Sequence, residues 1–328
     1  GKVTNVANIP DLTTPGKKDP VKVTVELPNG KTITVDVPVN VTPVKEIETP
    51  VKEIETPVTN TPLTPEDYTK GIKIPEGGKV TNVANIPDLT TPGKKDPVKV
   101  TVELPNGKTI TVDVPVKVTP VKEIETPVTN TPLTPEDYTK GIKIPEGGKV
   151  TNVENIPDLT TPGKKDPVKV TVELPNGKTI TVDVPVNVTP VKEIETPVTN
   201  TPLTPEDYTK GIKIPEGGKV TNVENIPDLT TPGKKDPVKV TVELPNGKTI
   251  TVDVPVNVTP VKEIETPVTN TPLTPEDYTK GIKIPEGGKV TNVANIPDLT
   301  TPGKKDPVKV TVELPNGKTI TVDVPVNV

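Results

Sequence analysis

The stretch VKVTVELPNGKTITVDVPVKV, residues 98–118, decides the fold, because apolar and polar residues alternate on both sides of a central turn. Apolar side chains occupy every second position of residues 98–104 and again of residues 110–118, where Pro115 takes a polar position. A period of two is typical of strands that bury one face. The stretch therefore predicts two neighbouring β-strands, and because Pro115 cannot donate to a ladder, its strand should lie at an edge or contain a bulge.

The turn between these strands follows from the register of their side chains. A two-residue loop at 106–107 would place Glu103 opposite Ile110, which puts a charge opposite the apolar face. A three-residue loop at 105–107 places Val102 opposite Ile110, so the apolar faces coincide. Proline in the first loop position and glycine in the third also suit a type I turn followed by a glycine bulge. We therefore predict the three-residue hairpin.

The segment before this hairpin predicts a short helix, two extended pieces and a loop. Thr64 suits a helix N-cap, Pro65 the first helical position, and Glu66 and Asp67 the positive end of the helix dipole. One or two helical turns should follow before Gly71. The extended pieces are IKIP (72–75) and KVTNV (79–83), and the proline- and glycine-rich IPDLTTPGKKDP (86–97) predicts a loop.

This unit recurs along the 328 residues. The motif GKVTNV begins at residues 1, 78, 148, 218 and 288, so its spacings are 77, 70, 70 and 70. A fixed period indicates an array of similar units. We predict a mainly β protein, a tandem array of small sandwich modules with one short helical turn each. The modules are a truncated copy 1 (1–42) and the complete copies 2 (63–118), 3 (133–188), 4 (203–258) and 5 (273–328).

Proline-rich linkers are predicted between the copies, at residues 43–62, 119–132, 189–202 and 259–272. Each proline disfavours helical backbone in the residue before it, so such a linker behaves as a semi-rigid extended spacer. Its Val and Ile residues leave open a second interpretation, in which the linker is a strand docked on a neighbouring unit. The extra seven residues of the first spacing are a duplication, VKEIETPVKEIETP at residues 44–57. An array that tolerates a change of spacing here suits a stalk and is awkward for an enzyme.

Composition excludes several chemistries. The chain has no Cys, His, Met, Trp or Phe, and also lacks Arg, Ser and Gln. Thiol and imidazole nucleophiles and the usual zinc ligands are therefore missing. The net charge of −5 comes from interleaved Lys and acidic residues, without the basic cluster that nucleic acids need. No apolar stretch approaches the length of a membrane span. We predict no catalytic, cofactor-binding or metal-binding residues, no cofactor, no nucleic-acid partner and no membrane segment.

Four groups of residues are candidate sites. The pair Glu66 and Asp67 resembles a catalytic or calcium-binding pair, but its position favours a helix start. Lys94 and Lys95 beside a glycine suggest an anion site or, more simply, a solvated loop tip. Tyr68 and its equivalents suggest packing of the helix rather than stacking on a sugar. A Lys–Asn isopeptide bond would require Lys, Asn and a carboxylate buried together.

The chain resembles the Rib/alpha-like repeat family of Gram-positive bacterial surface proteins. The resemblance rests on PDLTTPGKK (87–95), a Val-rich strand, LPNG (104–107), a second Val-rich strand and the opening LTPEDYTKGI (63–72). The family turn usually reads Tyr-Pro-Asp-Gly, so Leu104 and Asn106 depart from it. The resemblance implies a reduced immunoglobulin-like sandwich, repeated in a wall-anchored adhesin whose copy number varies.

The resemblance and the tolerance of altered spacing together predict a role outside the cell. We expect a structural stalk that projects a binding domain away from the wall, with repeat number setting its length. The alternative is a multivalent adhesive array, in which each copy binds a host protein or glycan weakly. The chain is expected to be monomeric and to be a fragment of a longer protein. That parent protein would be linked to peptidoglycan and have an unknown host ligand.

Overall fold

A computed structural model describes residues 1–43, 47 and 51–328. The chain divides into two compact units. Unit 1 comprises Gly1–Val121, Ile142–Asn152 and Lys169–Asp183, and unit 2 comprises Lys122–Gly141, Val153–Val168 and Val184–Val328. The first heptad of the duplication, residues 44–50, lies outside the described residues except for residue 47.

The elements repeat from copy to copy. Copy 1 contains β1 (Lys2–Ala7), β2 (Gly16–Glu26) and β3 (Thr32–Val41). A complete set follows: β4 (Ile54–Pro57), α1 (Pro65–Thr69), β5 (Lys79–Ala84), β6 (Gly93–Glu103) and β7 (Thr109–Thr119). The next set is β8 (Ile124–Pro127), α2 (Pro135–Thr139), β9 (Lys149–Glu154), β10 (Gly163–Glu173) and β11 (Thr179–Thr189). Then come β12 (Ile194–Pro197), α3 (Pro205–Thr209), β13 (Lys219–Glu224), β14 (Gly233–Glu243) and β15 (Thr249–Thr259). The last set is β16 (Ile264–Glu265), α4 (Pro275–Thr279), β17 (Lys289–Ala294), β18 (Lys304–Glu313) and β19 (Thr319–Asn327).

The strands of each complete set share one order. Unit 1 contains a three-stranded sheet, β1-β2-β3, and a four-stranded sheet, β4-β7-β6-β5. Unit 2 contains the equivalent four-stranded sheets β12-β15-β14-β13 and β16-β19-β18-β17. Within each of these four-stranded sheets the outer strand that opens the set pairs in parallel, and the other neighbours are antiparallel. The predicted mainly β tandem array is confirmed.

The predicted hairpin is confirmed in its turn and register. Val102 pairs with Ile110, and the backbone N–H of Leu104 donates to the carbonyl of Lys108 at 2.7 Å. Gly107 has φ +84°, in the left-handed region that a side chain would disfavour. The apolar faces of both strands therefore meet on the same side of the sheet.

Two predictions about strand ends need correction. The GKKDP part of the predicted loop, from Gly93 onward, already belongs to β6, which leaves a shorter loop. Pro115 does not lie in an edge strand, because β7 runs between β6 and β4. A bulge is present opposite Pro115, but it lies in the neighbouring strand β6 and not in the strand of the proline itself. Pairing skips from Lys95–Val116 to Val98–Val114, so two residues of β6 face Pro115. Pro115 has no backbone N–H to donate. Because β6 bulges opposite it, the regular ladder is interrupted at this position and needs no donor there.

Of the other local predictions, the helix and one extended piece are confirmed, and the other extended piece is wrong. The helix begins after Thr64 and ends at Thr69, as its capping residues suggest. The extended piece 79–83 is the strand β5, whereas residues 72–75 form no strand.

The proline-rich segments are not free spacers at their centres. Residues 54–57 form β4 and pair in parallel with residues 116–119 of β7. Residues 124–127 form β8 and pair in the same way with residues 186–189 of β11, within unit 2. The interpretation of the linker as a docked strand therefore holds, and the strand attaches to the copy that follows it. Ile54 and Ile124 are buried, which explains why an apolar residue recurs inside a proline-rich segment.

The core is formed by the alternating valines and one tyrosine in each complete copy. Val98, Val100 and Val102 are fully buried on β6, and Tyr68 packs its ring into the interior from α1. In unit 2 the buried side chains of copies 4 and 5 form one continuous apolar cluster. Burying this surface supplies the main stabilisation of these small modules, because the chain has no disulfide. None of the described helices is long and apolar enough to cross a bilayer.

Candidate functional site

The residues nominated from sequence lead to a surface between consecutive copies. Asp67 accepts hydrogen bonds from the backbone N–H and the hydroxyl of Thr64, both at 2.8 Å, and so completes a capping box. Its other carboxylate oxygen accepts from the Asn176 side-chain amide of copy 3 at 2.7 Å. Asp67 is 4% exposed. The helix-start interpretation is confirmed, and the same carboxylate also contacts the next copy.

Two threonines from the preceding segment bind the same neighbour. The Thr59 hydroxyl donates to the backbone carbonyl of Thr181 at 2.6 Å, and the Thr181 N–H donates to the Thr61 hydroxyl at 3.1 Å. The N–H of Thr61 in turn donates to the Thr59 hydroxyl at 3.0 Å. The two hydroxyls thus satisfy both backbone groups of one residue at the start of β11. We call this set of contacts, with Asp67–Asn176, the junction.

The junction recurs in unit 2 with nearly unchanged distances. The Thr129 hydroxyl donates to the carbonyl of Thr251, and the Thr199 hydroxyl donates to the carbonyl of Thr321, both at 2.6 Å. The return bonds from the N–H groups of residues 251 and 321 are both 3.1 Å long. The amides of Asn246 and Asn316 donate to Asp137 and Asp207 at 2.8 Å. Unit 1 therefore contains one junction and unit 2 contains two, and each joins one copy to the next.

Apolar side chains beside the junction are buried with it. Ile250 and Val252 flank Thr251 and are 1% and 0% exposed. The equivalent residues of copy 2, Ile110 and Val112, are only half-buried and border a surface cavity with Val51. The contact made by a preceding copy therefore covers an apolar strip at the start of β15, and that burial adds to the polar bonds.

Ion pairs surround each junction on the exposed side. In unit 1, Lys52 lies 2.7 Å from Glu146, and Lys178 lies 3.6 Å from Glu66. The hydrogen bond and positive charge of Lys52 lower the pKa of Glu146 below its usual value. Both side chains of this pair are mostly exposed, so water and salt screen the attraction and its contribution to stability is small.

The side chains of the two lysines that follow Gly93 contact only solvent or nearby residues of the described chain. Lys94 is exposed, and the ammonium of Lys95 donates to the Thr91 hydroxyl at 2.7 Å across the loop. Asp88 in the same loop accepts from the N–H and hydroxyl of Thr90, and these bonds lower the pKa of its carboxyl.

The loop-tip interpretation is wrong, because Lys94 and Lys95 belong to β6 and pair with Lys117 and Val116 of β7. Their side chains bind no described acidic group here; the Lys95–Thr91 bond ties the start of the strand to the loop before it.

Tyr68 is a core residue and does not present its ring to a ligand. Its ring is fully buried, and burial together with the neighbouring Asp67 charge raises the pKa of the phenol to about 12. The hydroxyl has no hydrogen-bond partner within the described chain. Stacking on a sugar would require an exposed ring, so the packing interpretation is confirmed.

The buried triad required for an isopeptide bond does not form within the described part of the chain. Asn176 and Asp67 meet there, but Lys178, two residues after Asn176, has a side chain that is 53% exposed and pairs with Glu66. Every described lysine is exposed or half-buried. In residues 1–43, 47 and 51–328, no three acidic side chains are grouped to hold a metal ion.

Sequence reasoning missed the junction threonines. Thr59 and Thr61 belong to the recurring TNTP motif, which lies in a segment whose prolines predict a linker. The available signal was the pair of hydroxyls two residues apart in every complete copy. It does not specify a partner that lies 122 residues further along the chain.

Comparison with known proteins identifies the family. The Rib domain family matches residues 46–120, 120–190 and 189–260 of the chain. The C protein alpha-antigen of Streptococcus agalactiae serotype Ia is 38% identical over an alignment of 386 residues. That alignment covers 100% of this chain and 36% of the relative, so the chain spans about a third of its length.

Solved structures give weaker matches. SGBP-B of the Bacteroides ovatus mixed-linkage glucan utilization locus, in complex with a mixed-linkage heptasaccharide, is 15% identical over 74% of this chain and 78% of that one. The protocadherin gammaB7 EC3-6 cis-dimer is 9% identical over 86% of this chain and 99% of that one. Both have a TM-score of 0.15, which supports no fold assignment.

The match to the family covers more than half of the chain and agrees with the motifs quoted above. The protein is thus a tandem-repeat protein of the Gram-positive surface type. The chain belongs to the Rib domain family, as the sequence motifs predicted.

Proposed function

We propose that this chain is the structural stalk of a Gram-positive adhesin and holds a binding domain away from the cell wall. The observation that supports the proposal is the junction, since the same hydroxyl, amide and carboxylate contacts join copy 2 to 3, copy 3 to 4 and copy 4 to 5. A copy that binds its successor by one repeated surface can be added without redesigning the array. Repeat number would then set the length.

The wider setting belongs to the same proposal. The parent protein would be exported, linked to peptidoglycan and monomeric, with its host ligand bound outside this chain and no catalytic role for the repeats. The boundaries proposed from sequence, such as 63–118 for copy 2, are best extended to include the strand that precedes each copy. That strand pairs with the sheet of its own following copy, and the Rib domain matches also include it.

Small-angle X-ray scattering on the whole chain tests the stalk. If each copy adds the length of its eleven-residue strand, it should add roughly 36 Å of length. We expect a rod-like profile for the unmodified chain and a more flexible profile when one junction is removed by Thr129→Val and Thr131→Val. The matched control is Thr269→Val with Thr271→Val, which alters the same sequence in copy 5.

The control separates the junction from local effects. The Thr271 N–H donates to the Thr269 hydroxyl at 3.0 Å, as in the other copies, so the control loses the same internal bond. A profile that is equally flexible for the unmodified chain and both variants would contradict the stalk.

One observation favours the multivalent adhesive array as a second candidate. Each complete copy exposes one isoleucine beside its DLTTPG loop, at residues 86, 156, 226 and 296, with 47% or 48% of each side chain accessible. Four identical apolar points could bind a repeated ligand weakly and gain strength from their number. Binding to a host surface that falls steeply when all four are changed to Thr would support this role.

A further inference from the structure

We propose that the parallel pair at the start and end of each copy bears tension when the array is pulled, so that each copy resists force by shear. This inference rests on the proposed stalk, since a stalk between a wall and a bound host is pulled along its length. The pair in copy 2 is β4 with β7, and in copy 4 it is β12 with β15.

The direction of the two strands determines how force acts on them. In copy 4 the chain enters through Ile194–Pro197 and leaves through Val256–Thr259, and these segments lie side by side and run in the same direction. Pulling on the chain before the first and after the second therefore drives them past each other along the strand axis. All bonds between them are stretched together. In an antiparallel hairpin that is pulled at its open end, the bonds break one pair at a time.

Further bonds and burial reinforce the pair. The N–H of Val198 donates to the carbonyl of Thr259 at 3.0 Å, just beyond the paired residues. The Thr259 hydroxyl donates to the carbonyl of Thr196 at 3.4 Å. Thr196 is 2% exposed and Thr259 is 8% exposed, so water has little access to replace these bonds as they stretch.

The connection that carries tension from one copy to the next is short. Only residues 190–193 separate the end of β11 from the start of β12, and only residues 260–263 separate β15 from β16. Each exit strand thus leads directly to the next entry strand. Tension passes from copy to copy through these strands, and the helices and the strands β13 and β17 stay outside the path.

Single-molecule force spectroscopy on the full chain tests the proposal. The chain contains no cysteine, so a pair of introduced cysteines defines where it is pulled. Lys192→Cys with Lys262→Cys loads the parallel pair of copy 4 in shear. Lys234→Cys with Asn257→Cys pulls two residues that pair directly across the antiparallel strands β14 and β15, which opens them from one end.

The two pairs of cysteine substitutions remove a similar interaction from the folded chain. Lys192 is paired with Glu286 and Lys234 with Glu193, so each loses one exposed ion pair. We expect the first pair of handles to give a rupture force several-fold higher than the second. In the first geometry, Val198→Pro removes a donor of the pair and should lower the force more than Val198→Ala, which keeps the N–H.

Equal rupture forces in the two pulling directions would overturn the proposal. If Val198→Pro left the force of the first geometry at the level of Val198→Ala, the assignment of the resisting bonds would also be wrong. These results are separate from the stalk, because scattering measures how the copies are joined at rest. A flexible scattering profile with a strong shear response would reject the stalk and retain the resisting pair.

Discussion

Copies 4 and 5 contain the same LTPEDYTKG segment in different surroundings. Asp207 in copy 4 is 3% exposed and Thr199 is 3% exposed, whereas Asp277 and Thr269 in copy 5 are half-buried. The capping box is nevertheless the same, with Asp277 accepting from the Thr274 N–H at 2.8 Å. Within the described residues, no other copy makes to copy 5 the contacts that Thr321 and Asn316 make to copy 4. The helix therefore depends on its own sequence, and its burial depends on the following copy.

Burial of the apolar strip at the start of the last long strand also depends on a neighbouring copy. Ile250 of copy 4 is buried beside its junction with copy 3, whereas Ile110 of copy 2 is half-buried. A copy in the array thus has one surface that covers a neighbour and another that is covered.

The largest difference in stability between two equivalent substitutions is expected in the apolar strip, where one isoleucine is covered by a neighbouring copy and its equivalent is not. Ile250→Ala should destabilise copy 4 by about 3 kcal/mol, because a buried isoleucine leaves a cavity when truncated. Ile110→Ala should destabilise copy 2 by only about 1 kcal/mol, since its side chain is already partly in water. Hydrogen exchange followed by mass spectrometry measures this, because each substitution gives its peptide a unique mass among the near-identical copies. Equal exchange in the two variants would show that the covered strip is not stabilised by its neighbour.

The next effect separates the junction from the helix cap. Asp207→Ala should cost about 3 kcal/mol and Asp277→Ala about 1 kcal/mol, because both lose a cap but only the first removes a bond to a neighbouring amide. Thermal unfolding of the two variants measures the difference. Adding Asn316→Ala should cost less in the Asp207→Ala background than in the unmodified chain. Additive costs would mean that Asp207 and Asn316 do not interact.

The smallest effect concerns the buried tyrosines at high pH. Burial and the adjacent aspartate charge raise the pKa values of Tyr68, Tyr138 and Tyr208 to about 12. The pKa of Tyr278 is also raised by burial, but its helix is more exposed than in the other copies, as the half-buried Asp277 shows, so we expect it to ionise first. Absorbance at increasing pH measures the order, and Tyr278→Phe should remove the first step. A single step that retains its midpoint in this variant would contradict the difference between copies.

The sign of the associated stability change follows from the raised pKa values. The folded state favours the neutral phenols, so their contribution is complete below the unfolded pKa of about 10 and is lost as the pH rises towards 12. Because the hydroxyls have no partner within the described chain, Tyr208→Phe should leave stability at neutral pH almost unchanged.

Local features of the fold could be predicted from sequence. The turn at 105–107 follows from alternating side chains on either side of it, and the cap at Thr64 follows from the residues that come directly after it. The predicted loop at 86–97 is too long, because its Pro, Gly and Asp residues are typical of turns. The bulge in β6 accommodates two of these residues, since Asp96 and Pro97 lie outside the regular pairing.

The candidate site was harder to predict. The sequence places Asp67 correctly at a helix start, yet its bond to Asn176 spans 109 residues and could not be inferred from spacing. Near-identical copies present the same asparagine several times, so the sequence does not say which one is bound. The segment 119–132 likewise had two permitted interpretations, and the pairing of β8 with β11 decided between them.

The sequence by itself determined the period of 70 residues, the hairpin register, the helix start and the family, because these depend on neighbouring residues or on repetition. The tertiary structure alone decided that proline-rich segments join a sheet, that threonine hydroxyls bind the next copy and that entry and exit strands run in parallel. Those contacts join residues about 60 to 120 positions apart. Their free energy depends on burial and geometry, which exist only once the copies have folded against each other.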